Sequence, residues 1–220
     1  MVKAVFLDFY GTLVHEDGEP VRIISKRIAE TGCTEDDAEV RAFWWQEFQR
    51  LSKDAYGEGF RTQRAIEHQS VENTLRHFKS TEEVERICDF LFEGWIKPPI
   101  FDEAKEFFEH TPVPIYMVSN IDRSDLELAL KFHRLKPAGI FTSEDARSYK
   151  PRREIFDLAL SVTGLQPKDV VHIGDSINSD IKGAMALGIP AIWVNRYDKV
   201  VPEKILSVTN LLEVFSTVYF

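Results

Sequence analysis

Short, largely continuous apolar runs alternate with helix-like stretches along this chain. The runs cover residues 2–7, 113–118, 139–141, 170–173 and 191–194. Strands without polar positions at every second residue suit a sheet covered on both faces. Helical periodicity separates the later runs, over 101–110, 125–133, 152–162 and 179–187, and a further helix is expected within 205–215. Alternating strands and helices predict an α/β fold with a parallel sheet and right-handed crossovers.

The stretch between the first two runs differs. Residues 21–31 read as a helix that ends at Gly32, and Thr34 is placed to cap the next, which carries Phe43, Trp44, Phe48 and Leu51 on one side. A loop over 56–59 leads to a helix over 60–78. Ser80 or Thr81 with Glu83 then opens a last helix as far as Trp95, before Pro98 and Pro99 break the pattern. The block is too long for a connecting loop. It reads as an all-helical domain, residues 17–97, inserted into a Rossmann-like core formed by residues 1–16 and 98–220.

Polar side chains gather where the apolar runs end. The first runs into Asp8, the second into Ser119 and Asn120, the fourth into Gly174 and Asp175, and the fifth into Asn195. Ligands of open parallel sheets bind at the carboxyl ends of the strands. A carboxylate there is costly unless something positive compensates it. Pro151 biases Lys150 toward an extended conformation. Gly11 permits a tight turn after Asp8, and Thr12 adds a hydroxyl. Asp175 and Asp180, brought beside Asp8, would form a hard oxygen site of the kind magnesium favours.

Asp8-Phe9-Tyr10-Gly11-Thr12, Ser119-Asn120, Lys150-Pro151 and Gly174-Asp175 through Asp180, in this order, resemble the motifs of the haloacid dehalogenase superfamily. The helical block after the first motif resembles its subgroup with a helical cap. The resemblance implies that Asp8 is a nucleophile forming an aspartyl phosphate, that Ser119, Asn120 and Thr12 hold the transferring group, and that Lys150 neutralises charge. It also implies that Asp175, Asp180, Asp8 and the Tyr10 carbonyl hold Mg2+. Phosphatases of the superfamily carry a second Asp where this chain has Tyr10, and a phenol with a pKa near 10 is a poor base at neutral pH. Three readings stay open. One is a magnesium-dependent phosphatase or phosphotransferase acting on a small phosphorylated metabolite with a good leaving group. Another is a metal-free 2-haloacid dehalogenase, whose members share the Tyr but lose the first acidic-motif Asp; their halide-binding Arg would fall at Trp45 here. The last is a metal- and phosphate-binding regulator with little turnover.

Composition narrows the partners. Among 220 residues the net charge is -9, which argues against nucleic-acid binding. No apolar run is long enough to span a membrane, and no leader pattern precedes Asp8, so the expected location is cytoplasmic. The expected partner is a small-molecule substrate, and the chain is expected to be a monomer or homodimer. Cys33 and Cys88 read as free thiols. His172 reads as a core histidine, His15 as exposed, Arg61 and Arg64 as solvated, and Phe43, Trp44, Trp45 and Phe48 as cap core.

Overall fold

The computed structural model describes residues 2–16 and 18–220; Met1 and Asp17, at which the expected core and insertion begin, lie outside them. Six strands form one sheet: β1 (Ala4–Leu7), β2 (Ile115–Ser119), β3 (Gly139–Thr142), β4 (Val170–Gly174), β5 (Ala191–Val194) and β6 (Leu206–Val208). Their order is β3-β2-β1-β4-β5-β6, and every pairing is parallel. The chain is therefore an α/β protein with a Rossmann-like core.

The continuous apolar runs serve two faces at once. Val5, Leu7, Ile115, Met117, Val171, Ile173, Ile192 and Val194 enter one apolar cluster, whereas Ala4, Phe6, Val118, Val170, Ala191 and Trp193 enter another. The strand order reverses at β1, which lies between β2 and β4. A crevice at such a switch point, outside the carboxyl ends of the strands, is where open sheets of this kind bind ligands. Asp8 and Asp175, immediately beyond β1 and β4, face each other across it.

Among the described residues five α-helices fall between β1 and β2, and the first four are α1 (Gly18–Thr31), α2 (Asp37–Lys53), α3 (Gln63–Phe78) and α4 (Val84–Ile96). They pack in sequence, α2 against α1 and α3, and α4 against α3 and α1. Their apolar sides, with Ile24, Trp44, Leu75 and Leu91, continue the first cluster outward from the sheet. The two linkers that join them to the sheet run antiparallel. Val14 bridges Ile100, the His15 N–H donates to the Pro99 carbonyl (2.8 Å), and the Phe101 N–H donates to the Leu13 carbonyl (3.1 Å).

Several local expectations need correction. Asp36, not Thr34, caps α2, accepting from the Ala38 and Glu39 N–H groups; Thr34 donates instead to Glu39. The α3 helix starts at Gln63 rather than 60, capped by Thr62. No side chain caps α4, and the Ser80 hydroxyl accepts from Glu82 N–H in the preceding turn. Trp45 is not core: it is 59% exposed and stacks on Phe48. Residues 205–215 hold no α-helix. They contain β6, added beside β5, and a 3-10 turn at Leu211–Ser216 capped by Asn210. A three-residue strand leaves too short a pattern for periodicity to register.

The remaining helices are α5 (Ala104–His110), α6 (Arg123–His133), α7 (Ser143–Ala146), α8 (Glu154–Thr163) and α9 (Gly183–Met185). The expected 179–187 helix begins as a π-helical turn, Ile177–Lys182, which runs into α9. Helices of this widened kind often occur at functional sites. Among the described residues no helix is long and apolar enough to cross a membrane.

Candidate active site

Asp8 stands at the end of β1, 6% exposed, with its N–H donating to the Ile173 carbonyl of β4 (2.9 Å). The turn after β1, the end of β2 and the loop that carries Lys150 converge on its carboxylate. Ser119 Oγ donates to Oδ1 at 2.9 Å and Lys150 Nζ at 2.8 Å. Thr12 Oγ1 lies 3.4 Å from Oδ2, a weaker contact. Lys150 Nζ also donates to the Val118 carbonyl (2.8 Å) and to Asp180 Oδ1 (2.6 Å). Asn120 holds the Lys150 backbone on both sides: Oδ1 accepts from its N–H (2.7 Å) and Nδ2 donates to its carbonyl (3.1 Å). Ser119 thus serves Asp8 and does not cap α6, which starts after Asp122.

The acidic motif closes the other side. The π-helical turn points Asp180 inward, where Oδ2 accepts from the Ser176 N–H (3.0 Å) and Oδ1 from His172 Nε2 (2.9 Å). Trp193 Nε1 on β5 donates to the Asp175 carbonyl (2.7 Å). Gly11 adopts φ +78°, and a Cβ there would lie 2.5 Å from the Asp175 carboxyl group. That residue has no side chain for two reasons, the turn and the close approach.

Asp8, Asp175 and Asp180 offer oxygens that all lie within 4.8 Å of one another. Their electrostatics diverge. Burial pushes Asp8 above the usual carboxylate range, more than Lys150 lowers it, and Asp180 adds to the rise. Asp175 is pushed up to about 8, by burial first and then by Asp8 and Asp180. Burial alone would also raise Asp180, but Lys150 and His172 outweigh it and hold that carboxyl below its ordinary value. Burial would lower Lys150, and the two carboxylates overcome this and raise it. One ammonium therefore stands beside three carboxylates and pairs with two of them, Asp8 and Asp180. The cluster is short of positive charge, and a divalent cation fits its donor set.

Tyr10 is turned away from acid–base work. Its hydroxyl donates to the Trp95 carbonyl at the end of α4, tying the turn after Asp8 to the helical insertion. His172 is a buried strand histidine as expected, although its Nδ1 has no partner among the described residues. His15 is exposed and its ring stacks on Phe101.

A second charged cluster joins α3 to α6. Asp122 accepts from the Gln63 N–H (2.7 Å) and the Arg64 N–H (3.0 Å), capping α3 from across the cleft. The Arg64 guanidinium donates twice to the buried Asp125 (2.8 and 2.6 Å) and lies over the Phe92 ring. Arg64 is thus no solvated surface residue, and Arg61 donates to the Ala65 carbonyl. Tyr149 Oη donates to the Arg61 carbonyl (2.9 Å), one residue before Lys150. Sequence reasoning missed this clamp because lone Asp and Arg residues on helices carry no spacing signal. It also missed the Asp180 contact of His172; a histidine inside a strand leading into the acidic motif was the available hint.

A model of the haloacid dehalogenase-like hydrolases matches residues 2–188. The chain belongs to this family. A segment of 84 residues is 42% identical to haloacid dehalogenase-like hydrolase domain-containing protein 3 of Danio rerio, covering 37% of this chain and 34% of that protein. Another, of 61 residues, is 36% identical to the human N-acylneuraminate-9-phosphatase, covering 27% and 24%. The matched segments thus span a quarter to a third of these curated relatives. The L-2-haloacid dehalogenase of Xanthobacter autotrophicus shares the fold, with a TM-score of 0.77 and 17% identity over 97% of both chains.

Proposed function

We propose that this hydrolase transfers phosphoryl groups from small phosphorylated metabolites through Asp8, with magnesium, and that residues 17–97 act as its cap over a core of 1–16 and 98–220. The observation that carries the reading is the underneutralised carboxylate trio, because an anionic nucleophile approaching an anionic phosphate needs more positive charge than Lys150 supplies. Asp8, Asp175, Asp180 and the Tyr10 carbonyl would hold the ion, which offsets negative charge on nucleophile and phosphate.

In this reading an Asp8 carboxylate oxygen attacks phosphorus as the bond to the leaving oxygen breaks, and the leaving group departs with that electron pair. Water then attacks phosphorus, releasing inorganic phosphate and restoring Asp8. Ser119 and Lys150 hold Asp8 in place, and with Asn120 and Thr12 they surround the transferring oxygens. With Tyr10 occupied at Trp95, no acid stands at that position for the leaving group. Leaving groups that need no protonation, as in acyl or aryl phosphates, are therefore preferred.

Tyr10 favours a second reading, metal-free 2-haloacid dehalogenation; retention of Asp175 and Trp45 in place of a halide-binding Arg oppose it. Both are tested by assaying p-nitrophenyl phosphate and 2-chloropropionate with and without magnesium. Magnesium-dependent phosphate release that Asp8→Asn abolishes supports the phosphatase. Metal-independent chloride release replaces it with the dehalogenase, and neither activity with retained magnesium binding points to a regulator.

A further inference from the structure

We infer that Arg196 is a positioning residue for Asp8, bracing the turn after the nucleophile against the linker that returns from the helical insertion. This rests on the Asp8 reading above. Arg196 lies two residues beyond β5, on the same rim as Asp8, and is itself no part of the carboxylate cluster. Its Nη2 donates to the Thr12 carbonyl (2.6 Å) and its Nη1 to Glu103 Oε1 (2.7 Å). Glu103 also accepts from the Leu211 N–H (3.4 Å), which anchors the pair to the chain beyond β6.

The guanidinium carbon sits 3.5 Å from the centre of the Phe101 ring, and the His15 ring centre lies 3.8 Å from it. Two groups this close cannot share one face, so Phe101 is held between them. Phe101 and His15 belong to the two opposed linkers, paired through Leu13 and Pro99. A single side chain therefore touches the nucleophile turn at Thr12 and the returning linker at Phe101 and Glu103.

Two features suggest that this arrangement is specific. The buried Nε–H of Arg196 has no partner among the described residues, so the guanidinium is placed for its two Nη contacts and its stacking and not for full solvation. The task also needs a planar fork, since an ammonium could not stack on Phe101 while bridging Thr12 and Glu103. Thr12 is wholly buried and its hydroxyl faces Asp8 Oδ2, so a shift of its backbone alters the packing around the second oxygen of the nucleophile. Misplacements on the order of 1 Å cost as much as about 10²-fold in rate.

The test uses the full chain, p-nitrophenyl phosphate with magnesium, and hydrogen exchange. In the double variant Arg196→Met with Glu103→Gln, which strands no carboxylate, kcat is expected to fall about 10- to 100-fold while KM changes less than about threefold. Amide exchange is expected to rise together in residues 9–15 and 97–103, with β4 and β5 still protected. Arg196→Lys should fall between the two. If the double variant does not fold, Phe101→Leu, which keeps both hydrogen bonds of Arg196, should raise exchange in the same two segments. A kcat within about twofold of the unaltered protein, or exchange that rises only near residue 196, overturns the inference. Should the unaltered protein fail to turn over the aryl phosphate, the Asp8 phosphatase reading fails, and exchange alone decides the brace.

Discussion

Two buried charge clusters lie on this rim, and they are balanced in opposite ways. Around Asp8, three carboxylates cluster beside the ammonium of Lys150, which pairs with Asp8 and Asp180, and two of the three are pushed to higher pKa. Along α6, Asp122 is met by two backbone N–H groups of α3 and Asp125 by both arms of Arg64. The second cluster finds its hydrogen-bond partners within the protein, although burial still raises Asp122, and it joins α3 to α6. The first is incomplete and calls for a cation and an anionic ligand from outside. Burial alone does not distinguish site from scaffold here; the unmet charge does.

The largest break of that contrast is Asp8→Asn, expected to lower phosphate release from p-nitrophenyl phosphate by at least about 10³-fold while leaving the fold intact. An Asn variant that keeps most of its turnover would move the chemistry away from Asp8. Next in size is Lys150→Met, which leaves Asp8 and Asp180 buried without their cation. It is expected to cost about 3–5 kcal/mol in denaturant unfolding, part of which magnesium restores. Asp125→Asn breaks the balanced cluster instead. Its guanidinium partner is partly exposed, so the expected cost is about 1–3 kcal/mol, and magnesium should leave it unchanged. Equal rescue of both variants by magnesium would erase the distinction between the clusters.

The smallest effect concerns pH. At the far end of α6, His133 Nε2 donates to the Pro98 carbonyl (2.8 Å), tying α6 to the linker. Burial lowers the pKa of His133, more than the Pro98 contact raises it, and Lys105 lowers it further. The unfolded chain therefore takes up a proton near pH 6.5 before the folded one does, and stability falls as the pH drops below that value. The melting midpoint should decline from about pH 7 to about pH 5.5, with a shallower slope in His133→Gln, whose amide can still donate to Pro98. An unchanged slope would remove His133 from the clamp.

The legibility of these features follows from how each is encoded. Five strands were readable because uninterrupted apolar runs mark strands covered twice, and Asp8, Ser119, Lys150, Asp175 and Asp180 were readable because they end or follow those runs. β6 was not, since three residues carry no period. Thr34 looked like a cap, but Asp36 lies closer to the first free N–H groups and takes the role. Tyr10 poses the right question, and only the folded chain shows its hydroxyl donating to Trp95. Arg64, Asp122, Asp125 and Arg196 act across 58 to 184 positions of chain, and no local pattern announces such partners.

The unmet charge around Asp8 leads to one direct measurement. The protein is mixed with p-nitrophenyl phosphate and magnesium in water enriched in oxygen-18, quenched in acid, and its peptides and released products are weighed by mass spectrometry. An aspartyl phosphate on the peptide containing Asp8, with the heavy oxygen appearing in released phosphate, is the predicted result. Turnover without that adduct, or heavy oxygen entering the Asp8 carboxylate itself during metal-free chloride release from 2-chloropropionate, would contradict it.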